Sequence, residues 1–173
     1  MIIGICSGYF NPINGAGHID YLIKAKDYCD KLIVILNNDE QVKLKGSIPF
    51  QDEKTREIIL NCLNMIDEVW LSESKTLDVA SDIERIYKQE TIFRPYNKFI
   101  FFNGGDRSNK QNSAEEAFCK DNGIRIETGV GGIEKQSSSS SLIENAAKEW
   151  IKKNWVEANE LAFKAELRYM SGN

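Results

Sequence analysis

At 173 residues, with 42% hydrophobic and 28% charged side chains, the chain has the length of one domain and can fill a core without staples. A formal net charge of −4 excludes a broad basic field for nucleic acid, so any anionic ligand must be held by local groups. No run approaches the ~18 apolar residues of a membrane span, and the opening MIIGIC lacks the basic flank and length of a secretion signal, which predicts a cytoplasmic chain with no membrane partner.

In chain order, apolar β-type runs alternate with helical patterns, which predicts parallel strands joined by crossover helices. The first strand is IIGIC (2–6), apolar throughout as befits a strand covered on both faces. A helix follows from Gly17 or His18, with Ile19, Leu22, Ile23 and Tyr28 facing inward. KLIVIL (31–36) is the second strand, and DEQVKLKGSIPFQDEK reads as a loop. TREIILNCLNMI then places Ile58, Ile59, Cys62, Leu63 and Ile66 on one apolar stripe. A third strand at 68–72, a helix near 78–88, a fourth strand at 98–102, a helix near 113–121 and a strand at 124–128 complete the pattern. A long helix over about 142–170 follows a five-serine run, and its Ile151, Trp155, Ala158, Ala162 and Leu167 call for a partner, either the domain's own flank or a second subunit. The four cysteines, Cys6, Cys29, Cys62 and Cys119, form no CxxC pair and read as reduced, buried thiols.

In open α/β sheets ligands bind at the carboxyl ends of the strands, where the strand order reverses. Four loops reach that edge, each with groups suited to polyphosphate. The first carries glycines, a helix start whose N–H groups favour anions, and the sole histidine, His18. The second carries Lys43 and Lys45, which alternate if the segment is extended, with Lys45 next to the loop glycine. The third is Asn103-Gly104-Gly105-Asp106-Arg107, where small residues let a base or ribose approach the backbone. The fourth is the serine run at another helix start.

Several of these runs, in order, resemble the cytidylyltransferase-like nucleotidyltransferase superfamily. GYFNPINGAGH is similar to its G-x-F-(D/N)-x-x-H-x-G-H signature, and LNNDEQVKLKG resembles the lysine-bearing segment after the second strand. Arg56 matches an arginine opening the next helix, and MIDEVWL resembles the VD-x-V run before strand three. FFNGGDR looks like the GGD segment of heptose-phosphate adenylyltransferase members, and KQSSSSSLI resembles the I-S-S/T-S/T phosphate loop. The likeness spans about residues 1–145 and leaves 146–173 as a helical extension.

This resemblance implies a Rossmann-like, doubly wound parallel five-stranded sheet with helices on both faces and a long C-terminal helix. It implies transfer of a nucleoside monophosphate from an NTP (CTP or ATP) to a phosphorylated sugar or alcohol, with release of pyrophosphate, Mg2+ as cofactor and a homodimeric enzyme. His18, Lys45 and Asn14 take the catalytic positions. Gly8, Tyr9, Phe10, Asn11, Gly17, Asn103, Gly105, Asp106, Arg107, Ser138, Ser139 and Ser140 take those of nucleotide binding, and Lys43, Asp39 and Arg56 those of the substrate. Asn14 stands where the family has its first histidine, with one extra residue before Gly17-His18. An amide there can donate a hydrogen bond but carries no charge. A phosphate nucleophile is already ionised, so the absence of a dedicated base agrees with positioning and charge stabilisation as the means of catalysis.

Two other functions are compatible with a nucleotide-binding α/β chain. One is a non-catalytic nucleotide-binding or regulatory protein, to which Asn14 points. The other is a dinucleotide-binding oxidoreductase, suggested by the spacing of Asp39 from Gly17. Asp20 where the third glycine of that fingerprint belongs opposes the second.

Overall fold

The computed structural model describes residues 1–104, 114–131 and 139–170. Five strands, β1 (Ile2–Gly8), β2 (Lys31–Leu36), β3 (Glu68–Leu71), β4 (Lys98–Gly104) and β5 (Arg125–Val130), form one sheet in the order β3-β2-β1-β4-β5. Every neighbouring pair is parallel, with Ile5 opposite Ile33 on one side and Phe101 on the other. The order reverses at β1, which lies between β2 and β4, so the carboxyl ends of those three strands frame the switch point.

Alternate side chains of each strand leave by opposite faces, and this divides the core in two. Ile3, Ile5, Ile33, Ile35, Phe99 and Phe101 pack with Val79, Ile83 and Ile86 at helix α4 (Ala80–Phe93) and Cys119 of α5 (Ala114–Asp121). Cys6, Leu32, Val34, Leu36, Ile100 and Phe102 pack with Tyr21, Leu22 and Ala25 of α1 (Asp20–Lys26) and Leu60 of α3 (Glu53–Asn61). Each fully buried Leu or Ile among them contributes about 1.5–3 kcal/mol of transfer free energy. This is a Rossmann-like α/β fold with helices on both faces of the sheet.

The helices depart from the expected stripes for identifiable reasons. A π-helical turn, Gly15–Ile19, precedes α1 and closes with Ile19 N–H donating to Asn14 C=O at 3.1 Å. The wider turn shifts the helical phase. Tyr21, Leu22 and Ala25 therefore face the core, while Ile23 and Tyr28 are exposed. In α3 the buried positions are Arg56 and Leu60, four residues apart, which turns Ile58 and Cys62 to the surface. Of the other cysteines, Cys6 and Cys119 are buried and Cys29 half-buried. The DEQVKL stretch read as loop is a short helix, α2 (Asp39–Leu44).

Two compact units make up the chain, Met1–Gln136 and Ser137–Asn173. The second holds α6 (Ser139–Met170), a single helix of 32 residues that takes in the last serines of the run and extends about 48 Å at 1.5 Å per residue. Its Trp150, Ile151, Trp155, Val156, Leu161, Phe163 and Leu167 are exposed and spread around the axis, not gathered on one stripe.

Candidate active site

The chain leaves β1 through a bend shaped by Phe10. This residue adopts φ of 48° and is 1% exposed, a costly conformation for a bulky side chain that the surrounding packing must hold. Its ring lies so close to Gly8 that an added Cβ there would come within 2.8 Å of it. The same ring meets the imidazole of His18 edge-on, with centroids 4.9 Å apart. Asn11, also buried, secures a distant segment: its Nδ2 donates to Ile48 C=O at 2.7 Å, and its Oδ1 accepts from the N–H groups of Phe50 (2.7 Å) and Gln51 (3.2 Å).

Asn14 organises the π turn that carries His18. Its Oδ1 accepts from Gly17 N–H at 2.8 Å and His18 N–H at 3.3 Å. Two helix-start N–H groups expected to face an anion are thus bonded to Asn14. Asn14 N–H in turn donates to Nδ1 of His18 at 3.3 Å. An imidazole whose Nδ1 accepts a hydrogen bond carries its proton on Nε2 in the neutral form. The turn therefore fixes His18 as an Nε2–H donor. The extra residue between Asn14 and His18 is absorbed in this turn.

The exit from β2 is built around Arg56, whose side chain is fully buried. Its Nη1 donates to Tyr9 C=O at 2.6 Å and Asn37 C=O at 2.8 Å, its Nε to Gln51 C=O at 3.1 Å, and its Nη2 to the Asp39 carboxylate at 2.5 Å. One guanidinium thus ties the β1 bend, the end of β2 and the start of α3 together. Asn38 caps α2 in a reciprocal capping box with Gln41. The Nδ2 of Asn38 also donates to Ser72 and Ser74 C=O, and the Nε2 of Gln41 to Thr76 and Asp78 C=O, which fastens the segment after β3 to α2. That segment is held from its other side by Ser72 Oγ, which donates to the buried Asp82 carboxylate at 2.5 Å.

The two lysines part company. Lys45 lies beyond α2 with its ammonium 4.4 Å from the centroid of the Tyr9 ring. Lys43 pairs with Glu40 at 2.7 Å on the exposed face of the helix, and that carboxylate raises its pKa. Because α2 is helical, two residues differ by about 200° around its axis. The separation expected of an extended segment is thus produced by a helix.

The structure brings Gly8, Tyr9, Phe10, Asn11, Asn14, Gly17, His18, Asp39, Lys45 and Arg56 to the ends of β1 and β2. Asn103 is buried near the end of β4. Gly105, Asp106, Arg107 and Ser138 lie outside the described residues, and Ser139 and Ser140 open α6. Asn37, Gln41 and Asp82 are buried polar groups, and Asn38 a half-buried one, that the sequence reading missed. The N-x-x-Q spacing of Asn38 and Gln41 is a capping-box signal that would have revealed α2. Among the described residues no group of three His, Cys, Asp or Glu could hold a metal ion, and no helix is long and apolar enough to cross a membrane.

Comparison with known proteins shows the family. Residues 5–116 match the family model described as cytidylyltransferase-like. The bifunctional protein HldE of Rhodopseudomonas palustris is 43% identical over 76 residues, which cover 43% of this chain and 15% of that protein. The bifunctional protein HldE of Nitrobacter hamburgensis is 32% identical over 146 residues, covering 83% of this chain and 27% of the relative, so the chain spans little more than a quarter of that protein's length. The crystal structure of the lipopolysaccharide core biosynthesis protein from Thermoplasma volcanium shares the fold, with a TM-score of 0.52 at 24% identity over 75% of this chain and 94% of that one. A histidine-bearing turn after β1, a lysine after β2 and a family match that spans both place this chain in the cytidylyltransferase-like family of nucleotidyltransferases.

Proposed function

We propose that the chain transfers a nucleoside monophosphate from CTP or ATP to the phosphate of a sugar or alcohol phosphate and releases pyrophosphate. The observation that carries this reading is the bond from Asn14 N–H to Nδ1 of His18, which presents Nε2–H as a preorganised donor at the strand edge. An acceptor phosphate oxygen attacks the α-phosphorus of the NTP, a new P–O bond forms, and the bond to the β-phosphate breaks, with the electron pair leaving on pyrophosphate. The nucleophile needs no base. The work left to the protein is to align the two anions and to offset the charge that develops on the transferring group.

His18 donates to that group through Nε2, and Lys45, steadied on the Tyr9 ring, supplies a positive charge. Asn14 acts by holding His18, and Arg56 by holding the Tyr9 and Asn37 backbone to which its guanidinium is bonded. Gly8, Tyr9, Phe10, Asn11, Gly17 and Asn103 are assigned to the nucleotide, together with Gly105, Asp106, Arg107 and the serines at 138–140. Mg2+ belongs to the same reading: when bound it would be carried chiefly by the NTP phosphates and would offset their charge, since no group of three His, Cys, Asp or Glu among the described residues could hold a metal ion by itself. The reading also includes a homodimer in the cytoplasm, which sedimentation and cell fractionation check.

The decisive experiment is a pyrophosphate-release screen of the four NTPs against sugar and alcohol phosphates. Release that requires both an NTP and one phosphorylated acceptor supports the reading. Nucleotide binding with no release from any pair would identify a regulatory nucleotide-binding protein instead.

A further inference from the structure

Helix α6 lies beyond the residues matched to the family, and from Trp150 to Leu167 its described large apolar side chains are exposed, by 48% at Val156 to 69% at Trp155. A helix in water draws most of its stability from packing, so such a surface calls for a cover. One line along it has a definite pattern. With a turn of about 100° per residue, Ala147, Ile151, Trp155, Ala158, Ala162 and Ala165 fall on one stripe, at steps of four, four, three, four and three residues. Trp150, Val156, Leu161, Phe163 and Leu167 lie off it.

The stripe is divided by size. Its two large residues, Ile151 and Trp155, stand on one side of its midpoint, and the alanines at 158 and 162 stand on the other. Two copies running antiparallel, about a two-fold axis level with residues 156 and 157, set Trp155 against Ala158 of the second copy and Ile151 against Ala162. Parallel copies in register would set Trp155 against Trp155 and Ala158 against Ala158, a clash beside a void, and close packing penalises both.

Charge selects the same orientation. Lys148 and Glu166 are eighteen residues apart, five whole turns, so both stand on the same edge of the stripe. An antiparallel two-fold brings like edges together, so Lys148 of each copy comes level with Glu166 of the other. Exposed pairs of this kind add little affinity but favour one register. A lipid surface is the poorer cover, because acidic and basic residues are interspersed around α6, five of each, and leave no cationic face.

We propose that α6 is the docking surface for a second copy of this chain, paired antiparallel through Ile151, Trp155, Ala158 and Ala162. The pairing gives the proposed homodimer its interface and does not depend on the transfer reading.

Sedimentation equilibrium of the full chain across the micromolar range is expected to show a monomer–dimer equilibrium. Trp155→Glu should weaken it at least about 30-fold, as loss of a central aromatic anchor does. Ala158→Trp should weaken it as much, by setting Trp against Trp. Trp155→Ala combined with Ala158→Trp should restore the dimer, since large again meets small. Lys148→Glu and Glu166→Lys should each weaken it about twofold to fivefold, and together they should leave it near wild type. All four positions lie in the unit separate from the sheet, and a thermal melt of each variant checks that the sheet unit stays folded.

A monomer at every concentration, or a trimer or tetramer, would overturn the proposal. A dimer indifferent to Trp155→Glu would also overturn it, keeping the homodimer but moving its interface off α6. Losses in the single variants with no recovery in the two exchanges would exclude antiparallel pairing and sink the proposal with it. Pyrophosphate release plays no part in these readings, so failure of the transfer reading would leave the interface standing.

Discussion

The segments that leave β1 and β2 reach the same edge of the sheet but are held there by different means. After β1, neutral groups do the holding: the Asn11 carboxamide fastens the 48–51 segment, the Asn14 carboxamide caps the π turn, and the Asn14 backbone N–H sets the His18 ring. After β2, a buried charge does it. Arg56 reaches four acceptors, among them the Asp39 carboxylate, while Asn38 and Gln41 lock the neighbouring loop. A neutral brace can be lost at modest cost. Removal of a buried ion from its partners is costly, since each partner is left desolvated and unpaired. The comparison therefore separates residues that support the fold at this edge from those that meet the ligand.

The largest effect is expected at Arg56. Arg56→Ala should destabilise the chain by about 3–5 kcal/mol, read from the urea midpoint, because it leaves three carbonyls and the Asp39 carboxylate without their donor. A variant of unchanged stability that fails only in acceptor binding would make Arg56 a ligand group and erase the contrast.

His18→Ala should do the reverse. Turnover is expected to fall about 100- to 1000-fold, as when one preorganised donor is lost, with little change in Tm. Early unfolding with specific activity retained would mean that the contact of His18 with Phe10 is its main role.

Asn14 falls between the two. Asn14→Ala removes a cap worth about 1 kcal/mol and loosens the turn that carries the imidazole, while the backbone N–H to Nδ1 is kept, so a small drop in Tm should accompany a roughly tenfold loss in kcat/KM. Asn14→Asp preserves the cap, and its Tm should stay near wild type while its charge opposes polyphosphate. Equal activity for wild type and Asn14→Asp would show that Asn14 does not face the phosphates at all.

The lysines sharpen the picture further. Lys45→Ala should cost about tenfold in kcat/KM, and Lys43→Ala, whose ammonium is already paired with Glu40, should change it by less than about twofold. Similar losses for both would bring α2's exposed face into the site.

The smallest effect lies at the other end of the sheet. Burial would raise the pKa of Asp67, but Leu32 N–H at 2.7 Å and the Lys26 ammonium at 2.6 Å outweigh it and hold the carboxyl below its usual 3.8. A group whose folded pKa is depressed stabilises above its unfolded pKa and loses that contribution as pH falls through the folded value. Asp67→Asn should therefore melt slightly below wild type at pH 6, and the gap should narrow below pH 3.8. A gap that widens on acidification would reverse the sign of the linkage.

Much of this was legible in the residues themselves. Uninterrupted apolar runs such as KLIVIL and KFIFF announce strands covered on both faces, and their alternation with helical patterns leads to a parallel sheet. Phe10 and Arg56 show where legibility stops. Motif position draws attention to both, but no local signal reveals that one takes a left-handed backbone or that the other is fully buried.

Local chemistry determined the element types other than the helix α2, the parallel sheet, and the placement of His18 and Lys45 at one edge, because side-chain periodicity and turn residues act over a few neighbours in the chain. Only the tertiary structure decided which face α1 and α3 bury, that Asn14 spends its oxygen on two backbone N–H groups, that Lys43 and Lys45 diverge, and that Asn37 keeps an oxygen without a donor. Those outcomes depend on partners far away in sequence, such as Gly8 for Asn37 and Tyr9 for Arg56, and on the competition among them for a limited number of hydrogen bonds.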